Sequence, residues 1–148
     1  VDEIDKIAGP WKKIESSFEP GDAYQLRIQV YLNNNSKILL KNNEGERFIF
    51  EINCETRKLI AYRNAATGQT SFIAKFPVPP LEAPLNVSGD TVTFNIFVDQ
   101  SSIEIFTENG SMSMTNLIFP ASIYNSVSVY GVSYKVEMRN FTSIWRAN

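Results

Sequence analysis

Few residues of this chain carry reactive chemistry, and the most suggestive pair lies in "FNIFVDQSSIEIFTENG", Phe94 to Gly110. There Asp99 and Glu104 stand five residues apart. Two carboxylates can divide the acid and base duties of a hydrolysis. A glycosidase holds them about 5–5.5 Å apart for retention of configuration and about 6.5–9.5 Å apart for inversion, both facing one sugar site. The sequence offers little else. It contains no His, which excludes Ser-His-Asp and Cys-His catalysis and imidazole-ligated zinc within this chain. Cys54 is the single cysteine, so no internal disulfide can form. In a strand-rich segment it reads as a small core residue. Asp90, Asp99 and the scattered Glu residues lack calcium-loop spacing, so neither a metal nor another cofactor is expected.

What Asp99 and Glu104 do depends on the elements that hold them. In "TVTFNIFVDQ" the residues Val92, Phe94, Ile96 and Val98 alternate onto one face, as a strand lining a core requires. After the turn Ile103 and Ile105 do the same, while Glu104 and Phe106 point the other way. Asp99, Gln100, Ser101 and Ser102 are turn formers, because Asp and Ser side chains hydrogen-bond nearby backbone. This assigns Asp99 to turn chemistry and Glu104 to an outward strand position, so no catalytic residue is expected here. Asn109-Gly110 predicts a second tight hairpin of type I′.

The rest of the chain repeats this grammar. Leu26, Ile28, Val30 and Leu32 share a face in "AYQLRIQVYL", and Phe48, Phe50 and Ile52 share one in "ERFIFEIN". "KILLKN", "KLIAYRN", "TSFIAKF", "SMSMTNLIF", "SVSVYGVS" and "YKVEMRNF" read as further strands, separated by turns such as "NNNS", "NNEG" and "AATG". Strand-sized runs at such spacing predict an antiparallel sandwich or barrel. The four prolines in "FPVPPLEAPLNVSGD", Phe76 to Asp90, remove ladder donors and predict a connection between sheets. The one helix-like stretch is "DEIDKIA" near the start, closed by Gly9-Pro10. The reading is one all-β domain of about ten strands, with sandwich and barrel both open.

Composition agrees with a single domain. A chain of 148 residues buries about 68–70% of its unfolded surface, and its 43% hydrophobic content supplies a core. A formal charge of −2 argues against nucleic acid, which needs clustered Lys and Arg. No apolar run reaches the roughly 18 residues of a membrane span. A chain opening "VDEIDKIAGPWKK" reads as a piece of something longer. Asn34, Asn86, Asn109 and Asn140 each begin an N-x-[ST] sequon, compatible with a secreted or periplasmic parent without establishing one.

"FNIFVDQSSIEIFTENG" followed by "TNLIFP" resembles the C-terminal β-sandwich of glycoside hydrolase family 32, the levanases, inulinases, invertases and other β-fructosidases. The matching positions are Asp99, Ser101, Ser102, Glu104, Phe106, Phe119 and Pro120. "AYRNAATGQTSF" and the closing "VEMRNFTSIW" are similar to further strands of that domain, so the resemblance runs from about Ala23 to Trp145. Gln100 stands where the family commonly has a basic residue. The family's catalytic motifs (W-M-N-D-P-N, R-D-P and E-C) are absent, and "NCE" at Asn53 to Glu55 reverses the last of them.

The resemblance implies an all-β fold, a two-sheet antiparallel β-sandwich of about ten strands and concanavalin-like, whose parent hydrolyses β-fructosidic bonds in levan, inulin or sucrose with retention. Its partner would be an N-terminal five-bladed propeller bearing all three catalytic carboxylates. Residues 1–22 would then link to the propeller and residues 23–148 form the sandwich. Asp99, Ser101, Ser102, Glu104 and Phe106 become a structural hairpin. A fructan-binding module and a plain structural or interaction sandwich are the alternatives, and association between copies stays open. Outward aromatics mark a candidate docking face: Tyr31, Phe97 and Phe106, with Trp11 from the linker side. A second sheet crossing these positions would be the competing explanation.

Overall fold

A computed structural model describes residues 12–13, 23–64, 80–117, 120, 122–131 and 133–141. The helix-like opening, the "TSFIAKF" run, Trp11 and Phe119 lie outside the described residues. Eleven strands are present among the described residues, the first only two residues long: β1 (Lys12–Lys13), β2 (Tyr24–Tyr31), β3 (Ser36–Lys41), β4 (Arg47–Asn53), β5 (Lys58–Asn64), β6 (Leu81–Pro84), β7 (Thr91–Val98), β8 (Ser102–Thr107), β9 (Ser113–Leu117), β10 (Ser126–Tyr130) and β11 (Ser133–Asn140). They form a six-stranded sheet in the order β1-β11-β2-β7-β8-β9 and a five-stranded sheet in the order β10-β3-β4-β5-β6. Every pairing is antiparallel. This is a two-sheet sandwich, one of the two architectures that the alternation predicts and the one that the resemblance implies.

Alternation also explains the core. Leu26, Ile28 and Val30 of β2 share the inner face of their sheet with Phe94, Ile96, Ile103 and Ile105, and Ile38, Leu40, Phe48, Phe50, Ile52 and Leu59 from the other sheet join the same buried cluster. Each large apolar side chain so buried contributes about 1.5–3 kcal/mol. Tyr24 is fully buried among them. A buried phenol needs a partner, and its hydroxyl donates to the Tyr124 carbonyl at 2.7 Å. Burial first, and Tyr124 second, push that phenol far above its ordinary pKa.

Turn chemistry fixes the register. Asn42 Oδ1 accepts the N–H groups of Glu44 and Glu46 at 3.0 Å each, and Gly45 takes φ +80°, closing β3 onto β4. Asn53 Oδ1 does the same for Glu55 and Thr56, closing β4 onto β5.

Three expectations need correction. Leu81–Pro84 is not bare connection: it forms β6 on the edge of the five-stranded sheet, opposite Lys58–Ala61 of β5. An edge strand tolerates Pro because one side needs no ladder donors. The Asn109-Gly110 turn is not type I′, since only Gly110 has positive φ, +75°. Thr107 accepts from Gly110 and donates to Met112 through its backbone, so the loop is longer and needs one left-handed residue. Cys54 is no core residue either. It is a half-buried free thiol in the β4–β5 turn, whose N–H donates to Asn35 Oδ1 at 3.0 Å.

Candidate functional site

The hairpin joining β7 to β8 gives Asp99 a structural task. Its Oδ1 accepts the N–H groups of Ser101 and Ser102, both at 2.8 Å. The two serine hydroxyls reach the same oxygen at 3.3 and 3.2 Å, and Asp99 N–H donates to the Ser102 carbonyl at 3.1 Å. A short acidic side chain that caps two successive amides is what holds such a turn. Glu104 stands one strand away, solvent-exposed on β8 between Phe97 of β7 and Thr115 of β9. Neither carboxylate lines the grooves on the two sheet faces. The arrangement is therefore a capped turn with an outward glutamate on the neighbouring strand.

The outward face of the six-stranded sheet holds a built feature around the same hairpin. Phe97 stacks on Phe106 with ring centroids 5.6 Å apart and planes 18° from parallel. Phe141, just past β11, stacks on Phe97 at 5.6 Å and 11°. All three rings are half-buried. Strand pairing explains the strip: Phe97 stands opposite Gln25 of β2, and Asn95 opposite Phe106. The Arg139 guanidinium lies 5.9 Å from the Phe141 centroid, a cation–π distance.

A polar network braces this strip. Arg139 Nε donates to Gln25 Oε1 at 2.9 Å, and Gln25 Nε2 donates to Asn95 Oδ1 at 2.9 Å. Both amides are buried even though they point away from the core. Next to them Arg27 donates from Nε and Nη2 to Glu137 Oε1 at 3.0 and 2.7 Å. Partial burial alone raises the Glu137 pKa, but Arg27 and then Lys135 overcome it and hold the carboxyl below its ordinary value. Tyr31 shares this face at the far end of β2, opposite Thr91 and half-buried. The structure thus brings Phe97 and Phe106 together, sets Tyr31 apart from them on the same face, and leaves Trp11 outside the described residues. Phe141, Arg139, Gln25 and Asn95 were missed by sequence reading, because only cross-strand register reveals that they adjoin. Among the described residues no cluster of His, Cys, Asp and Glu has the makings of a metal site.

Comparison with known proteins follows the same lines. The model of the family "Glycosyl hydrolases family 32 C terminal" matches residues 5–145. A levanase of Bacillus subtilis (strain 168) is 26% identical over 96% of this chain and 23% of its own length. A levanase of Bacillus sp. (strain L7) is 30% identical over 72% of this chain and 12% of its own. The crystal structure of exo-inulinase from Aspergillus awamori matches with a TM-score of 0.76 at 19% identity, over 96% of this chain and 31% of that one. That last likeness speaks for the fold. The chain spans less than a third of each of these relatives.

Proposed function

Because the chain belongs to the C-terminal domains of glycosyl hydrolases family 32, we propose that it is the non-catalytic module of a longer β-fructosidase. That polypeptide hydrolyses β-fructosidic bonds in levan, inulin or sucrose with residues of an N-terminal catalytic domain. Residues 1–22 carry the connection to that domain and residues 23–148 form the module, with Lys12–Lys13 paired to β11 along the way. The observation that carries the non-catalytic reading is the engagement of Asp99 Oδ1 by two backbone amides and two hydroxyls of its own turn. A nucleophile or acid–base group has to reach a substrate instead.

The stacked strip of Phe97, Phe106 and Phe141 supports a packing role toward the catalytic domain. Three adjoining rings on an outward sheet face are the kind of apolar patch that marks an interaction surface. Bracing by Arg139, Gln25 and Asn95 presets their geometry, which lowers the ordering cost of docking.

Two experiments test this. Fructose release from levan, inulin or sucrose by the 148-residue chain is expected to match a buffer blank. Release that vanishes in both Asp99→Asn and Glu104→Gln would move the chemistry onto the hairpin and end the reading. In the longer polypeptide, Phe97→Ser combined with Phe106→Ser should split one cooperative melt into two. An unchanged melt would remove the docking face.

A further inference from the structure

The five-stranded sheet carries a second feature that the hairpin and its aromatic strip leave untouched. Its outward face holds a groove of about 270 Å³. One cross-strand row builds it: Tyr130 of β10 stands opposite Lys37 of β3, Lys37 opposite Glu51 of β4, and Glu51 opposite Ile60 of β5. Asn35 and Asn53 close one end. We propose that this groove binds a neutral oligosaccharide, with Tyr130 as the stacking platform and the Lys37–Glu51 pair as the hydroxyl-binding group. The proposal goes beyond the docking reading and uses the opposite sheet.

Four observations carry it. Tyr130 is 54% exposed, a large apolar surface facing the opening rather than the core. An exposed ring offers a flat π-face to the C–H side of a sugar, and Ile60 supplies a second apolar wall. Lys37 Nζ and Glu51 Oε1 lie 3.7 Å apart, with side chains 45% and 39% exposed. At that separation their charges compensate, so the groove has no preference for an ion of either sign. The ammonium nevertheless keeps N–H donors and the carboxylate keeps lone pairs, which is the pairing that vicinal hydroxyls match as acceptor and donor. Glu51 is further held from the side of Tyr62, whose phenol is pushed up in pKa by partial burial first and by the Glu51 carboxylate second. Finally, Ser36 lines the groove, and its Oγ lies buried behind it with no hydrogen-bond partner among the described residues. Gly131 adjoins it so closely that a Cβ there would sit 2.9 Å from that oxygen. All the groups but Asn35 and Gly131 lie on strands or at their ends, and sites on such elements are better preorganised than sites on loops.

The test is titration of the 148-residue chain with an inulin-type fructo-oligosaccharide, a levan oligosaccharide and maltohexaose, followed by amide chemical shifts and calorimetry. At least one of the three should shift the amides of Tyr130, Lys37, Glu51 and Asn53 in a saturable manner. Tyr130→Ala and Lys37→Met should each weaken that binding by about tenfold or more, while Tyr130→Phe keeps it because the ring remains. These side chains stand at the surface, and a melt of each variant checks that the fold persists. Absence of saturable shifts with all three sugars overturns the proposal. So does binding that survives Tyr130→Ala undiminished, or shifts confined to the Phe97–Phe106 face. None of these results depends on whether the other sheet docks a catalytic domain.

Discussion

Replacing Asp99 by alanine separates the structural account of the hairpin from the catalytic one, because the two predict opposite responses. In the structure Asp99 Oδ1 accepts the Ser101 and Ser102 amides at 2.8 Å and two hydroxyls beyond 3 Å. A hydrogen bond to a charged acceptor contributes about 1.5–3 kcal/mol when shielded. These amides sit in an exposed turn where water replaces the lost partner, so each falls nearer about 0.5–1 kcal/mol, and the hydroxyl contacts add little. Asp99→Ala should therefore cost about 1–2 kcal/mol, similar to removing a helix N-cap. For a chain of this size that lowers Tm by roughly 2–8 °C. Asp99→Asn keeps an oxygen acceptor in the same place and should cost less than half as much. The assay is a circular-dichroism melt of the three proteins. An Asn variant as unstable as the Ala variant, or an Ala variant as stable as the parent, would refute the reasoning. A catalytic Asp99 would show the inverse pattern, with melting unchanged and hydrolysis abolished by the amide.

Gly131→Ala should destabilise the chain by about 2 kcal/mol or more in urea, since φ there is +103° and left-handed backbone costs a β-carbon about 1–2 kcal/mol. The added carbon would also stand 2.7 Å from the Asn35 carbonyl, so a neutral substitution would mean that this segment relaxes freely. Phe50→Ala, which opens a cavity at a fully buried ring, should cost about 3–5 kcal/mol and reveal itself in the denaturant midpoint. Glu137 predicts an acid-sensitive contribution: its pKa is depressed from 4.5, so its stabilisation is complete above that value and fades as pH falls through the lower folded-state value. The stability gap between the parent and Glu137→Gln should accordingly close on acidification from about pH 7 to about pH 3; a gap that stays constant would show that the Arg27 pairing does not titrate.

Period-2 patterning made the core readable in advance, because Leu26, Ile28, Val30, Phe48, Phe50, Phe94 and Ile96 each obey a local rule that burial then follows. The Asp99 turn was legible for the same reason, its partners lying two and three residues away. What escaped was either tolerant or distant. β6 hid behind prolines that an edge position accepts. The turn at Asn109 has a single left-handed residue where two were expected. Phe141 meets Phe97 across 44 residues of chain, and Tyr130 meets Lys37 across an even longer span. Those adjacencies arise from register between strands, and no pattern within one strand encodes them.

The position of β2 between β11 and β7 has a consequence for the order of events during synthesis. β2 is among the first long strands made, yet the partner along one side is residues 91–98 and along the other residues 133–140. At roughly 5–20 residues per second, the apolar face of Leu26, Ile28 and Val30 waits several seconds for the first neighbour and several more for the second. The meander β3–β4–β5 needs no such delay, because each of its strands pairs with the one just finished. Four strands of the five-stranded sheet, β3 to β6, are therefore able to assemble on the ribosome while β2 remains an unpaired template, whereas β10 is made only after β7. Through that interval β2 is the segment most open to chaperone binding and to pairing with a neighbouring nascent chain.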